Sequence, residues 1–455
     1  MPPRHPARYK WRRSTFWRTA VLTALGFGTV AVILLLLLTS RVAAIVALIA
    51  IPVLAALVGG FGLADIGEFV TTGIGDIAGV LIMFVFAILY FGVMRDAGLF
   101  DPIVRRVLRF AGHQPVTIVL ATALLAMCAH LDGAGATTFL ITIPALLPLY
   151  EAMGMSRLVL ATVTGLGAGV MNMLPWGGPT ARAATVVGVD ANELWVPLIP
   201  AQAAGVLAVL GIAYLLGRRE RNRLGVGAEL GATISPELPE EDPELRRPRL
   251  FWVNVALTVL TVGVLISGVL PPQVVFMISV VLALVINYPG MRAQQARVDA
   301  HARGAILMAS TLAAAGAFLG IMEETGMTEA MARSLASIMP DSAAPLLPLI
   351  IGALGVPLSF LFGPDPYYYG VLPILTSVGE QFGIDPTLIA QASLTGEETV
   401  GFPLTPMTAS FFLLVGLAKV DIGKHIRHML PWAWGVNLVI LAVAVATGVV
   451  PLWAG

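Results

Sequence analysis

Four polar interruptions hold most of the ionisable residues that fall within the apolar runs of this chain. The first, HLDGAGATT at 130–138, brings His130, Asp132, Thr137 and Thr138. The second, NMLPWGGPTAR at 172–182, brings Asn172, Gly177, Gly178, Thr180 and Arg182. GPDPYYY at 363–369 carries Asp365, and TGEETVGFPLTP at 395–406 carries Glu397, Glu398 and Thr405, with Thr408 just beyond. Charge in hydrocarbon is costly, so each of these residues is a functional-site candidate. Arg182 offers five donors in a planar fork that suits a carboxylate, or it makes a structural ion pair with a glutamate. Asp132 and Asp365 supply oxygen ligands for a hard cation, and Asp132 also suits the cap of the helix that follows it. Glu397 and Glu398 are adjacent and so point in different directions on a helix. Whichever faces a cavity would be burdened by burial and by a like charge, and would be suited to carry a proton. Sequence leaves that choice open. His130 reads as a hydrogen-bonded helix end or a proton relay. Tyr367, Tyr368 and Tyr369 read as interface anchors or gate residues.

The elements that must position these residues are membrane helices. Hydrophobic residues make up 57% of the 455 and charged residues 12%, too few charges to wet a soluble surface of this size. The apolar segments are continuous rather than alternating, which excludes an outer-membrane barrel. Net charge is zero, and nothing points to nucleic acid. The single cysteine, Cys128, has no partner for an internal disulfide and reads as core packing.

In order, a basic tail at 1–19 precedes a first unit at 20–217, a polar linker at 218–249 and a second unit at 250–455. Inside the first unit, 116–150 reads as a re-entrant hairpin whose arms are too short to cross alone, and 158–189 as a helix broken at Pro175. The second unit repeats the plan with a hairpin at 344–378 and a broken helix at 387–418. Asp132 matches Asp365, Gly154 matches Gly383 and Pro175 matches Pro403, at a steady offset of about 230 residues. Five crossings and one hairpin per unit is an odd count, so the second copy is expected to be inverted. Open backbone in hydrocarbon is tolerated only against protein or a water-filled cavity. The four interruptions are therefore expected to meet at the midplane. Opposed half-helix N-termini would offer backbone N–H groups to an anion, and freed carbonyls would face a cation.

Arginine gathers in the loops on one side, which the positive-inside rule makes cytoplasmic, so the first hairpin should enter from the cytoplasm and the second from outside. The tail at 1–19 conflicts with this orientation, and initiation at Val21 would remove the conflict. GIGD at 73–76 and the Pro144-Ala145-Leu146 triplet echo intramembrane aspartyl proteases. Such an enzyme needs a second aspartate in a Tyr-Asp pair, which is missing here.

The segments GVMNMLPWGGPTARAATV at 169–186, HLDGAGATTFLITIPALLPLY at 130–150 and MFVFAILYFGVMRDAGLFDP at 83–102 resemble the citrate–divalent-metal:proton symporter family, CitMHS, of the ion transporter superfamily. The likeness runs from about Val21 to the last span. Ala134 and Ala136 depart from it, standing where more polar residues are expected, and this bears on the choice of cation. The resemblance implies no enzyme and no resident cofactor, but uptake of citrate complexed with Mg²⁺ or Ca²⁺, driven by protons, at the cell (inner) membrane. It also implies a homodimer in which a transport domain of hairpins and broken helices slides against a scaffold, as an elevator. The resemblance places the site at Asp132–Thr138, Asn172–Arg182, Gly363–Tyr367 and Glu397–Thr408; with the residue chemistry above, Thr137, Thr138, Asn172, Gly177, Gly178, Thr180, Arg182, Thr405 and Thr408 are expected to bind substrate. Asp132 and Asp365 would hold the metal, and Glu397, Glu398 and His130 would couple protons. A metal complex leaves citrate a single net charge, which is cheaper to desolvate than three. The alternatives are a sodium-coupled di- or tricarboxylate carrier of the same fold, a channel and, remotely, the protease.

Overall fold

The computed structural model describes residues 15–39, 41–112, 114–225, 244–338, 340 and 343–454, and no strand occurs among them. Residues 1–14 of the basic tail and 226–243 of the expected linker lie outside the described residues.

The first half runs through α1 (Thr15–Leu38), α2 (Ala44–Val58), α3 (Leu63–Asp76), α4 (Ala78–Asp96), α5 (Asp101–Ala111), α6 (Pro115–Ala129), α7 (Gly135–Ala152), α8 (Arg157–Met171), α9 (Gly178–Val187) and α10 (Ala191–Leu224). The second half runs through α11 (Phe251–Ser267), α12 (Pro272–Asn287), α13 (Met291–Glu324), α14 (Met327–Ala336), α15 (Leu347–Ala353), α16 (Gly355–Leu361), α17 (Leu372–Gln381), α18 (Pro386–Leu394), α19 (Ala409–Leu417) and α20 (Ile422–Ala446). Among the described residues, eight helices are long and apolar enough to cross a membrane, or nine if the bent α15–α16 pair counts as one. The chain is an all-α polytopic membrane protein.

Several helices extend past their apolar runs. α10 continues through Arg218–Arg223, where a linker was expected, and α13 starts at Met291 rather than near Ala305. Hydropathy registers where a helix meets lipid; it does not register where a polar helical end continues into water. The arms of the first hairpin are also longer than expected. A 3₁₀ turn at His130–Asp132 prolongs α6, so that Pro115–Asp132 and Gly135–Ala152 are 18 residues each. Each is long enough by itself to cross. α3, α5 and α14 occupy stretches that read as loops.

GIGD ends α3, and its Gly73 has a packing role. A Cβ there would collide with the backbone of α13 at Gly316 and Gly320. Gly316 and Gly320 are four residues apart and form a small-residue face on which two helices meet closely. PAL lies within α7.

Side chains satisfy the backbone groups that the helix breaks set free. α15 and α16 meet at a 73° bend. Pro357 cannot donate to the Ala353 carbonyl, and Trp434 Nε1 of α20 donates to it instead at 2.8 Å. Asn437, on the same face of α20, donates to the Gly352 carbonyl at 3.0 Å and accepts from the Val356 amide at 3.3 Å. At the α8–α9 break, Gln202 of α10 donates to the Val170 carbonyl at 3.0 Å, while Thr180 donates to that of Met173 at 2.9 Å. Buried backbone groups with no water in reach need such partners.

Candidate functional site

The polar segments converge. The turn at 130–134, the break at 172–177, Pro364 of the second tip and the break at 395–408 line one side of a cavity of about 570 Å³. The other side consists of two helical stripes. α4 presents Phe84, Ile88, Phe91, Gly92 and Arg95, and α13 presents Ala300, His301, Gly304 and Met308. Both sets follow the three-and-four spacing of a single helix face.

Arg182 stands one turn inside α9, and its Nε donates to Asp365 Oδ1 at 2.8 Å. The expected glutamate partner is thus replaced by the aspartate of the second tip. No described residue accepts from either Nη, so the fork keeps donors available on the cavity wall. Gly178 leaves room beside Arg182, while Gly177 is required by the tight backbone of the break and does not line the cavity. A Cβ on Gly177 would strike the Asn172 carbonyl, and one on Gly178 would lie 2.7 Å from Arg182 Nη1.

Asp132 is held on both carboxylate oxygens by protein groups. Oδ1 accepts from the Ala134 amide at 2.8 Å, a bond inside the turn before α7 rather than the expected side-chain cap of that helix, while Oδ2 faces Arg95 Nη1 at 3.3 Å. The same Nη1 lies 3.2 Å from Thr137 Oγ1. Asp132 and Asp365 thus each have an arginine partner, and no group of three or more His, Cys, Asp or Glu able to hold a metal ion occurs among the described residues.

The structure separates the two glutamates. Glu398 lines the cavity, whereas Glu397 is buried away from it. Glu397 sits under Ser359, whose hydroxyl is 3.4 Å from Oε2, and its backbone carbonyl accepts from Tyr368 Oη at 3.0 Å. The Glu398 amide donates to Ser359 Oγ at 2.9 Å. Each carboxylate keeps an Oε1 with no protein partner. Glu398 also adopts φ of +50°, a left-handed conformation costly for a side chain of its size and typical of functional positions.

His130 is fully buried behind the cavity and connects the segments. Nδ1 meets Thr138 Oγ1 at 2.8 Å and Nε2 meets Asn172 Oδ1 at 3.2 Å. The Asn172 amide nitrogen donates to the Glu398 carbonyl at 2.7 Å, which turns its oxygen toward the imidazole and places a proton on Nε2. One line of hydrogen bonds thus spans the first tip, the first break and the second break.

Of the sequence candidates, Asp132, Thr137, Asn172, Gly178, Arg182, Glu398 and Thr408 line the cavity. Asp365 stands behind Arg182, while Thr138, Thr180 and Thr405 are buried in supporting hydrogen bonds to His130, the Met173 carbonyl and the Met407 amide. Tyr367, Tyr368 and Tyr369 are buried rather than placed at a membrane interface, and Tyr367 Oη bonds Ser393 at 2.8 Å. Tyr367 and Tyr368 tie the second tip to α18 and the second break, whereas Tyr369 packs with Val30 and Ile33 of α1.

Sequence reading missed Arg95 and His301, taking their surroundings as loop charge. His301 Nε2 meets Asp96 Oδ2 at 2.8 Å, and Arg297 donates to the same oxygen at 2.9 Å. A Cβ on Gly92 would collide with the imidazole. The detectable signal was the stripe from Phe84 to Arg95 continued past the apolar core of α4.

A citrate transporter family model, CitMHS, matches residues 17–396. A citrate transporter of Bacillus subtilis is 44% identical over 430 residues, which is 94% of this chain and 100% of that protein. A Mg²⁺/citrate complex secondary transporter of the same organism is 40% identical over 434 residues, 95% of this chain and 100% of that one. Among solved structures, the Alcanivorax borkumensis YdaH transporter, described as having an unusual topology, superposes with a TM-score of 0.59 at 17% identity, covering 86% of this chain and 91% of that one. At that identity the likeness is one of fold.

Proposed function

Because the chain belongs to the CitMHS family of citrate transporters, we propose that it is a secondary transporter importing citrate as a complex with Mg²⁺, Ca²⁺ or a similar ion, in symport with protons. The charge balance of the cavity carries this reading. Arg95 and Arg182 are each offset by an aspartate, and Glu398 adds a carboxylate with an unpartnered oxygen. Free citrate brings three negative charges to a wall with no cation to spare, a penalty that grows as water is excluded. Its complex with a divalent metal brings one, and a proton on Glu398 removes the wall's own unpaired charge. The name of one relative, which specifies a Mg²⁺/citrate complex, supports the same cargo.

In this reading Arg182 meets a carboxylate, aided by Thr137, Asn172, Thr408 and the α9 N-terminus. Asp132 meets the metal. Glu398 carries the proton, with Glu397 and His130 behind it. The order hairpin, broken helix recurs in both halves, which supports two inverted repeats. The division of the cavity between irregular segments and the straight stripes of α4 and α13 supports an elevator, with the first body sliding past the second. We further propose a homodimer.

Uptake of labelled citrate into proteoliposomes under an inward proton gradient tests the cargo and its coupling. Uptake should require Mg²⁺ or Ca²⁺ and collapse with a protonophore. Uptake that ignores the metal and follows sodium would replace this reading with a sodium-coupled carboxylate carrier.

A further inference from the structure

We infer that Arg95 is a specificity-determining residue that makes binding conditional on metal and carboxylate arriving together. It holds Asp132 in the empty site, and exchanges that contact for a ligand carboxylate when the metal of the complex takes Asp132. The inference rests on the proposed metal–carboxylate cargo.

The argument begins with one oxygen. Asp132 Oδ1 is committed to the Ala134 amide, so Oδ2 is the atom left for a metal, and it is the atom Arg95 faces. Thr137 Oγ1, a second hard oxygen beside it, is shared with the same guanidinium nitrogen. A metal and Arg95 therefore compete for the same two atoms.

Arg95 is built to yield. Its Nη1 divides itself between contacts of 3.3 and 3.2 Å, at the long end of hydrogen bonding, and no described residue accepts from Nε or Nη2. It stands in the last turn of α4, where the helix dipole favours a cation whether or not Asp132 is engaged. The rest of its cavity stripe is apolar or glycine, so a ligand carboxylate drawn to that wall meets Arg95.

Three ligands fare differently at such a pair. A bare divalent ion must evict Arg95 and then sit beside the freed guanidinium, cation against cation. A bare polycarboxylate engages Arg95 and strands Asp132 as an unpaired anion in the same cavity as Glu398. Stranding one member of a poorly hydrated pair costs far more than exchanging both members. The complex does the latter: its metal takes Oδ2 while one of its own carboxylates takes Arg95.

Calorimetric titration of the purified full chain with three probes tests this: Mg²⁺ alone, citrate in metal-free buffer, and the Mg²⁺–citrate complex. Wild type should prefer the complex to either component. In Arg95→Gln, Mg²⁺ alone should bind on the order of tenfold more tightly than to wild type and the complex on the order of tenfold more weakly. Arg95→Lys should keep most of the preference, which separates the charge from a folding defect. Equal weakening for all three probes, or no change in preference, would overturn the inference while leaving the cargo intact. Failure of wild type to bind the complex would overturn the cargo reading and the inference with it.

Discussion

Arg182–Asp365 and Arg95–Asp132 join the same residue types at one cavity, yet they are built differently. The first connects the broken-helix segment to the second tip through Nε at 2.8 Å, with side chains 12% and 23% exposed. The second connects a straight helix to the first tip at 3.3 Å, sharing its donor with Thr137. One pair joins α9, just past the first break, to the second tip, and the other straddles the boundary between the first tip and the α4–α13 wall. Under the proposed elevator, a pair within one body can be tight, because nothing asks it to open, and a pair across the sliding boundary has to be weak enough to exchange. The two bond lengths follow that distinction, while each arginine keeps two nitrogens without an acceptor among the described residues.

Removing the internal cation should have the largest effect. Arg182→Ala is expected to cut metal–citrate uptake by on the order of 100-fold, since it strands Asp365 and removes the carboxylate fork. Proteoliposome uptake within a few-fold of wild type would deny Arg182 its role.

Next come the glutamates, which sharpen the contrast between cavity wall and support. Glu398→Gln should abolish proton-driven accumulation but spare citrate exchange at equal concentrations on both sides, because exchange needs no net proton movement. Glu397→Gln should leave the pH dependence of uptake unchanged. If the two variants behave alike in both assays, the assignment of the coupling proton to Glu398 is wrong.

Asp365→Asn should cost about 2 kcal/mol of stability, a buried-pair penalty discounted for partial exposure, and show as a lower unfolding midpoint in detergent. The supporting bonds come last. Asn437→Leu removes two hydrogen bonds to buried backbone groups at the α15–α16 bend and should cost about 2 kcal/mol, while Thr180→Val should cost about 1. A midpoint unmoved in Asn437→Leu would mean that the bend finds its hydrogen bonds elsewhere.

What could be read in advance follows a physical division. Proline, glycine and isolated charge inside an apolar run are local facts with local consequences: Pro175 and Pro403 must interrupt their helices, and Arg182 must find a partner wherever the chain places it. The partner itself is a long-range matter. Asp365 is 183 positions away in sequence, and a glutamate was an equally good candidate by charge. Arg95 and His301 escaped notice for another reason. They lie where α4 and α13 outrun their apolar stretches, so hydropathy assigned them to loops although helical periodicity placed them on the cavity face.

The sequence by itself determined an all-helical membrane protein, four polar interruptions with their candidate residues, and, by resemblance, the family. Those properties depend on solvation and backbone chemistry, which each residue carries with it. Only the tertiary structure decided that Glu398 rather than Glu397 faces the cavity, through a left-handed backbone that no neighbouring residue dictates. The same packing buried the tyrosines of the second tip and gave Asp132 and Asp365 different arginines. Pairings of that kind depend on which surfaces the helices present to one another, and a residue's type fixes what it needs without fixing which neighbour supplies it.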